Sequence, residues 1–458
     1  MSTSLTRQAD LADQRSLRHW SVAGGAMLCM IAASVPLSGV SFFHPYWFQV
    51  LRGTPQATVL LYFTLMMFSI VGSMILIGGA LLPKVGPKPL MITGSVIVAV
   101  ALTIFANAQS PAMLYVAGVV LGLGYGISYQ LVPIVWVNNW FVARKGLVVG
   151  LVTGGTGIGG MIWSFMVPTL GGQPGPDNTS FRVGYYVMAV VVVGLTIPAT
   201  LFLAVDKPSD VGLRPFGAPT VEEAVAAAAP RATLPGFTFH QAMRSPWLWL
   251  IFAVSMLLGI VHAAAQIMAP YLTNRVTAPV DAGGLGQTLG YYSVLMMLWT
   301  LGLIILKPTL GVLNDKLGVL WAMLITLGMQ AAFFVFLPSF GAFGTVVPLI
   351  AMFFMSAGMS NGTVQPPLIT AQAMGPREFG KIWSVTGTAY TLGMAVGAPI
   401  WGLFYDAATR SYSRGFYLAP VALAVIVAGA VIGMNGGRRQ QLALAQREAD
   451  AAPADARP

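Results

Sequence analysis

Twelve long apolar segments account for most of this chain of 458 residues, and they constrain its fold more than any other feature. A helix needs about 20 apolar residues to cross the hydrocarbon core of a bilayer. Each segment reaches about that length. Hydrophobic residues make up 56% of the chain, and charged residues make up only 8%. A soluble domain carries about 25% charged residues. The sequence therefore predicts an all-α membrane protein with twelve transmembrane helices.

We number the predicted spans in chain order. Spans 1 to 6 cover residues 20–44, 58–82, 88–108, 112–137, 146–171 and 182–205. Spans 7 to 12 cover residues 246–272, 288–313, 318–338, 344–369, 381–405 and 415–436. This layout predicts a tail at 1–19, a six-helix bundle at 20–205, a polar linker at 206–245, a second six-helix bundle at 246–436 and a second tail at 437–458.

The net charge of +10 is distributed unequally between the two sides of this topology. Eighteen of the 24 Lys and Arg residues lie on the side of the tails and the linker, and five lie on the other side. An excess of Lys and Arg marks the cytoplasmic side of a membrane protein. We therefore expect a multi-pass protein of the cell (inner) membrane with both termini in the cytoplasm, and no nucleic-acid partner.

Several classes of function find no support in the sequence. One cysteine, Cys29, excludes an internal disulfide and a cysteine-based metal cluster. We find no catalytic triad, metal-ligand cluster or Walker motif, so we expect neither an enzyme, nor a cofactor, nor an ATP-driven pump. Gly155, Gly157 and Gly160 match the spacing of a dinucleotide-binding fingerprint, but they lie inside span 5 rather than between a strand and a helix. Close packing of span 5 against span 2 or span 8 is the favoured interpretation.

The two groups of six spans repeat one another. The segment GALLPKVG (79–86) after span 2 matches GVLNDKLG (311–318) after span 8. Three residues of spans 4 and 5 recur in spans 10 and 11: Gly124, Pro133 and Gly146 correspond to Gly358, Pro367 and Gly380. The same number of residues separates the two members of each pair, and nearly the same number separates the two loop segments. A nearly constant offset across separate helices indicates two repeats in the same orientation.

The same segments carry a family resemblance. GVLNDKLG resembles the loop signature of the major facilitator superfamily, Gly-x-x-x-Asp-Arg/Lys-x-Gly. WFVARKGLVVG (140–150) and LKPTLGVLNDKLG (306–318) are similar to the oxalate/formate antiporters and the related monocarboxylate transporters, as are PSDVGLRPFG (208–217) and FTFHQAMRSPWLWL (237–250). The resemblance covers nearly all of residues 20–436. It implies the major facilitator fold, a substrate site between the two halves and, by analogy, a monomer.

The loop signature also implies a cytoplasmic gate. In the superfamily the loop Asp helps to latch that gate, and here this residue is Asp315. We assign the gating role to Asp315 and its neighbours Lys316 and Gly311, and to Arg144 between spans 4 and 5. The first-half copy has Pro83 where the signature has its Asp, which argues against a latch in both halves.

One residue with a fixed charge, Lys307, lies well inside a predicted span. A charge in hydrocarbon is costly and usually marks a pathway. In the family a cation of span 8 binds the substrate carboxylate, and the motif assigns this role to Lys307. The segment 382–399 of span 11 contains no Lys or Arg, so it lacks the second cation that the family uses for dicarboxylates, which favours a monoanion. The alternative is a lysine that extends toward the membrane surface.

Proton coupling finds weaker support. Leu303 stands where proton-coupled relatives often have an acidic residue, and no Asp or Glu lies mid-membrane in any predicted span. His262 in span 7 and His44 at the end of span 1 are the remaining titratable candidates. A histidine in a span can relay protons or bind an anion, and it can equally bond to a neighbouring helix.

The last group of candidates for substrate binding consists of uncharged hydrogen-bond donors and aromatic side chains that could line the cavity. The family resemblance places Tyr129 of span 4 in the cavity. The further candidates are Tyr46, Trp299, Asn361, Gln365, Trp383 and Tyr390. For each of them, helix packing or an interfacial position is the alternative.

The sequence thus predicts a secondary transporter of small organic monocarboxylate anions that works by alternating access, during which the Gly- and Pro-rich spans 4, 5, 10 and 11 bend. Anion exchange is favoured if Lys307 must be neutralised before the carrier reorients. The alternatives are a proton-coupled monocarboxylate symporter, a drug exporter of the same superfamily and a carboxylate sensor that does not transport. The expected partners are the organic anion, protons in the case of symport, and the lipid bilayer.

Overall fold

The computed structural model describes residues 2–74, 79–141, 145–175, 177–217, 236–375 and 377–450. Within these residues the regular structure is helical, and the β-structure is limited to two isolated bridges. Ten helical segments in this part of the chain are long and apolar enough to cross a membrane. The all-α prediction is confirmed, and the described part of each predicted span lies mainly in one helix or in consecutive helices.

The helices of spans 1 to 6 are Ser2–Ser34 and His44–Val50, Gln56–Gly72 and Gly79–Val85, Pro87–Asn107, Pro111–Ile127 and Val132–Trp140, Lys145–Gly171, and Phe181–Pro198. The short helix Phe239–Arg244 precedes span 7. The helices of spans 7 to 12 are Pro246–His262 and Ala265–Thr277, Leu289–Leu317, Val319–Phe336, Val346–Met359 and Asn361–Met374, Phe379–Leu403, and Ser413–Asp450.

Spans 2 and 11 lie outside the ten apolar segments, for different reasons. The helix Gln56–Gly72 of span 2 is apolar but has only 17 residues before a stretch that is not described. The helix Phe379–Leu403 of span 11 has 25 residues, but its many Gly, Thr and Ser residues lower its mean hydropathy. A span with this composition is suited to contact with other helices rather than with lipid.

The Cα packing divides the chain into two compact units. The first consists of Met1–Ala224 and Met268–Ile304, and the second of Val225–Ile267 and Ile305–Pro458. The bundle limits at 20–205 and 246–436 stay a prediction.

Spans 1, 4, 7 and 10 are interrupted, whereas spans 5 and 11 are each one continuous helix. Span 1 passes through a π-helix and a 3-10 helix at 35–43, and span 7 is interrupted at 263–264. The interruptions of spans 4 and 10 each include a buried serine that donates to the carbonyl four residues earlier. Ser128 donates to Gly124 at 2.6 Å, and Ser360 donates to Ser356 at 2.8 Å. Such bonds compete with the helix ladder and bend a helix.

Small residues allow close packing in the first unit. Gly118, Gly122 and Gly126, each four residues apart on span 4, face the backbone of span 2. A Cβ on Gly118 would lie 2.5 Å from the carbonyl oxygen of Tyr62, and one on Gly126 would lie 2.8 Å from that of Ile70. This small-xxx-small spacing lets two helix backbones approach closely in a membrane.

The glycine-rich part of span 5 packs in the same manner. A Cβ on Gly157 would lie 2.5 Å from the side chain of Ile304 in span 8, and one on Gly160 would lie 2.7 Å from Thr300 of the same span. The predicted packing against span 8 is therefore confirmed for these two glycines. Gly155 instead faces span 1, where the carbonyl oxygen of Met27 lies 2.7 Å from the position of a Cβ.

The sequence repeat is also present in the backbone. Gly86 and Gly318, the last residues of the two repeated loop segments, have φ values of +84° and +81°, a region that favours glycine, and each precedes the first residue of a helix. Gly159 faces the backbone of span 1, and Gly393, its counterpart in the repeat, faces the backbone of span 7. The two halves therefore use the same devices at equivalent positions.

Candidate functional site

Lys307 lies in the helix Leu289–Leu317, directly before Pro308, which this helix accommodates without a break. Its side chain is half-buried. Among the described residues, none forms a hydrogen bond or an ion pair with its ammonium group. A cation in a span without a carboxylate partner is suited to bind an anion, because the anion would compensate its charge in a medium of low dielectric constant.

His262 is the last residue of the helix Pro246–His262, and it is fully buried. Its Nδ1 lies 3.1 Å from the hydroxyl oxygen of Tyr390, and its Nε2 lies 3.2 Å from Oε1 of Gln330. An amide oxygen only accepts, so Nε2 carries a hydrogen and donates it. In the neutral imidazole the Tyr390 hydroxyl then donates to Nδ1. This histidine cluster, His262, Gln330 and Tyr390, joins spans 7, 9 and 11.

The histidine cluster can hold a proton without losing a hydrogen bond. A protonated imidazole donates from both nitrogens, and the hydroxyl oxygen of Tyr390 accepts once its own hydrogen rotates away. Gln330 and Tyr390 are neutral, so the cluster contains no counter-charge for an imidazolium. Burial therefore makes the charged state costly, although the geometry permits it.

Span 10 provides the room for this cluster. A Cβ on Gly358 would overlap the side chain of Gln330, and a Cβ on Gly362 would overlap the hydroxyl group of Tyr390. The two glycines stand on either side of the interruption at Ser360. The cluster thus depends on the absence of side chains at two positions one helical turn apart.

Asn361 is fully buried and bonds to its own surroundings. Its Nδ2 donates to Oγ1 of Thr326 at 2.9 Å and to the carbonyl oxygens of Gly358 and Ala357 at 2.9 and 3.3 Å. These carbonyls belong to the last turn of the helix Val346–Met359, where the helix ladder leaves acceptors unpaired. The geometry therefore favours the helix-packing interpretation for Asn361.

Gln365 is also fully buried, but its hydrogen bonds are incomplete. Its Nε2 donates to Oδ1 of Asn314 in span 8 at 3.0 Å. Oε1 of Gln365 and Nδ2 of Asn314 are buried and have no hydrogen-bond partner in the described part of the chain. Asn314 follows Lys307 by about two helical turns, so both lie on the same face of span 8. In the described part of the chain, this face thus offers a cation and one free donor, and the adjoining Gln365 of span 10 offers one free acceptor.

The remaining binding candidate of the second unit, Trp383, is half-buried, and its ring stacks on Phe379 with centroids 6.3 Å apart. The gating candidates Asp315 and Lys316 are exposed in the last turn of span 8. A Cβ on Gly311 would meet no atom within 4 Å, so packing does not require a glycine there. The fourth gating candidate, Arg144, lies outside the described residues.

Three of the binding candidates in the first unit each form a hydrogen bond with one partner. His44 is fully buried, and its Nε2 lies 2.7 Å from the hydroxyl oxygen of Tyr62 in span 2. Tyr129 lies in the interruption of span 4, is buried, and has its hydroxyl oxygen 2.7 Å from Oγ1 of Thr196 in span 6. Tyr46 donates to the carbonyl oxygen of Gly172 at 2.8 Å, and Trp299 is buried.

Sequence reasoning missed Gln330, Thr326 and Asn314. The signal was present for Gln330, because it is an isolated amide in the apolar segment TLGMQAAFF (326–334) of span 9. A polar residue in a span needs a partner inside the protein. That partner, His262, is 68 residues away in the chain, so only the packing of the helices identifies it. In the described residues, no group of three or more His, Cys, Asp or Glu side chains could hold a metal ion.

A family model described as Major Facilitator Superfamily matches residues 22–277. The chain is 27% identical to the MFS-type transporter pynF of Aspergillus niger over 40% of this chain and 42% of that protein, so it spans less than half of that relative's length. It is 23% identical to the Oxalate:formate antiporter of Oxalobacter formigenes over 70% of this chain and 71% of that protein. It is 22% identical to Monocarboxylate transporter 12-B of Danio rerio over 88% of this chain and 84% of that protein.

A search of solved structures finds the same architecture. A crystal structure of a mutant of the nucleoside transporter NupG matches with a TM-score of 0.69 and covers 91% of this chain and 99% of its own. The sequence identity is 13%, so this likeness shows the fold alone.

Proposed function

Because the chain belongs to the major facilitator superfamily, we propose that it is a secondary transporter of small organic monocarboxylate anions that works by alternating access. The observation that carries this proposal is Lys307, a half-buried cation inside a span, which no described residue engages in a hydrogen bond or an ion pair. Two of the relatives are named for carboxylates or their exchange, which supports the same substrate class.

Anion exchange is favoured because the empty carrier would have to close around the uncompensated charge of Lys307, which costs free energy. An ammonium group in a closed, dry site lacks compensation, which disfavours closure of the empty carrier. A bound carboxylate neutralises the lysine and removes this cost. The loaded carrier then reorients faster than the empty one, so exchange of anions exceeds net flux.

The amide pair of Asn314 and Gln365 refines the substrate class. The free donor, Nδ2 of Asn314, lies on the face of span 8 that carries Lys307, and the free acceptor, Oε1 of Gln365, lies beside it on span 10; neither has a hydrogen-bond partner among the described residues. A hydroxyl group of a substrate satisfies both, because it accepts one hydrogen bond and donates another. Among monocarboxylates of equal size, those with a hydroxyl group should therefore bind more tightly than their unsubstituted analogues.

Ligand-dependent thermal stabilisation of the purified protein tests the substrate class. A ligand at about 100 times its Kd stabilises the folded state by about 2.7 kcal/mol. We expect monocarboxylates to raise the Tm of the wild type and to leave that of Lys307→Gln unchanged, whereas the primary amides of the same acids raise neither. Stabilisation of both proteins by the amides would contradict a carboxylate site at Lys307.

Proton-coupled symport is the second candidate, and the histidine cluster favours it. His262 can take up a proton while both of its nitrogens keep a partner. Under symport, an inward proton gradient should drive uptake into vesicles without internal anion, and His262→Gln should abolish this response while exchange persists. Uptake that ignores the pH gradient in the wild type would reject this candidate.

We also propose which side of the membrane the termini and the gate loop face. The excess of Lys and Arg on one side supports cytoplasmic termini, a cytoplasmic gate loop at Asp315 and Lys316, and an inner-membrane location, and we propose a monomeric carrier. Single cysteines introduced at Asp315 and at Asp177 in the Cys29→Ser background test it with an impermeant thiol reagent in whole cells. Labelling at Asp177 but not at Asp315 is expected, and the reverse pattern would invert the topology.

A further inference from the structure

A groove of about 520 Å³ lies in the second unit, between the beginning of span 7 and the helix Ser413–Asp450 of span 12. None of the described candidates for substrate binding or gating lines it. The lining residues are Trp247, Val431, Ile432, Asn435, Gly436, Arg439 and Gln440.

Two local features build the groove. A Cβ on Gly436 would lie 2.5 Å from the indole of Trp247, so the glycine allows the indole to lie directly against span 12. Ser245 donates to Oε1 of Gln440 at 2.8 Å, which holds the later part of span 12 beside the beginning of span 7. These two contacts hold the walls of the groove together.

The groove carries positive charge at one end. Arg439 is exposed, and no described residue forms a hydrogen bond or an ion pair with it. The helix Pro246–His262 begins at the same end, and no side chain in the described part of the chain caps its first N–H groups. The positive end of that helix dipole adds to the charge of the arginine.

The opposite end of the groove is apolar. Val431 and Ile432 line it, and 54% of the Ile432 surface is exposed. The apolar segment of span 12 ends at Gly436, shortly before Arg439. The groove thus includes residues on both sides of the point where the apolar segment ends. Trp247 is the second residue of the helix of span 7, and tryptophan is enriched at such ends of transmembrane helices.

We propose that this groove binds an anionic glycerophospholipid, with the phosphate group at Arg439 and an acyl chain along Val431 and Ile432. Basic pockets between transmembrane helices bind the head groups of anionic lipids in this manner. A free phosphate ion would use only the charged end of the groove. A zwitterionic lipid would fill the apolar end but lacks the net negative charge that the arginine favours.

Native mass spectrometry of the purified full-length protein, titrated with phosphatidylglycerol in detergent, tests the site. Arg439→Gln should weaken binding by about fivefold, which corresponds to the contribution of about 1 kcal/mol from one basic residue near a membrane surface. Arg438→Gln is the matched control, because it removes the same charge at the neighbouring position from a side chain that does not line the groove. It should bind the lipid as the wild type does.

Three results would overturn the proposal. Equal weakening by Arg438→Gln and Arg439→Gln would mean general electrostatic attraction rather than a site. Equal binding of phosphatidylcholine would remove the selectivity for anionic lipids, and displacement of the lipid by inorganic phosphate would show that the ion alone is the ligand. If Arg439→Gln does not fold, Ile432→Asn on the exposed wall should weaken the same titration, and unchanged binding would equally reject the site.

Discussion

The two units carry different residues at one equivalent position. Val98 of span 3 and Gln330 of span 9 correspond in the repeat, and each packs against a glycine of the following span. In the first unit a Cβ on Gly124 would lie 2.9 Å from Cγ2 of Val98. In the second unit the corresponding Gly358 leaves room for an amide that reaches His262. The same packing device therefore supports an apolar contact in one unit and a polar cluster in the other.

The other buried polar residues of the two units differ in the same way. The buried polar candidates of the first unit join neighbouring helices in pairs, such as His44 with Tyr62 and Tyr129 with Thr196, both at 2.7 Å. The second unit contains a three-residue cluster, an amide pair with free groups and the cation Lys307. We infer that the first unit is mainly scaffold for helix packing and that the second carries the chemistry of substrate recognition.

Lys307→Gln removes the cation of the second unit and should have the largest effect on uptake. Loss of a hydrogen bond to a charged group costs about 1.5–3 kcal/mol, so uptake of a monocarboxylate below saturation should fall roughly 10- to 100-fold. Lys307→Arg keeps the charge and should keep most of the uptake. Radiotracer uptake normalised to the amount of protein in the membrane measures both, and normal uptake by Lys307→Gln would remove the basis for the assignment.

Gln330→Val makes span 9 resemble span 3 and should destabilise the second unit. It leaves the buried Nε2–H of His262 without its acceptor, at a cost of about 1–3 kcal/mol. In a double-mutant cycle, His262→Leu should then cost less in the Gln330→Val background than in the wild type, because the two residues share one bond. Thermal unfolding measures the four proteins, and additive changes would show that the contact contributes nothing.

Gly358→Ala tests the room that span 10 gives to the histidine cluster. The added methyl group would overlap Gln330, and overpacking costs about 1–3 kcal/mol, of which helix propensity recovers up to about 1 kcal/mol. Gly328→Ala is the matched control, because a Cβ there meets no atom within 4 Å. We expect a lower Tm for the first variant and an equal or higher Tm for the second. Equal values would mean that the cluster does not need the glycine.

Tyr129→Phe should have the smallest effect. It removes the bond to Thr196 and should lower the free energy of unfolding by about 0.5–1.5 kcal/mol. Uptake should change by less than about twofold, because that hydroxyl serves the packing of spans 4 and 6. A loss of uptake comparable to that of Lys307→Gln would assign Tyr129 to the substrate and contradict the division between the units.

Much of the fold could be predicted because it depends on local properties. The length of the apolar segments determines the spans, and the repeat seen in the sequence reappears in the backbone at Gly86 and Gly318 and at Gly159 and Gly393. The interruption of span 7 at Ala263 and Ala264 has no comparable signal, since neither residue breaks a helix by itself.

The candidate site was only partly accessible from the sequence. Lys307 stands out because a charge in an apolar segment is visible in one dimension. The contact of His262 with Tyr390 joins residues 128 positions apart, and it depends on how three helices pack. For Asn361 the sequence indicates a polar residue but not its partners, and those partners decide between a structural and a functional role.

Uptake of a radiolabelled monocarboxylate into proteoliposomes, with and without unlabelled anion inside, tests whether Lys307 supports anion exchange. Wild-type uptake should be fast only with internal anion, and uptake by Lys307→Gln should be slow under both conditions. Equal uptake by the wild type and Lys307→Gln would contradict the account, because the cation of span 8 would then have no part in transport.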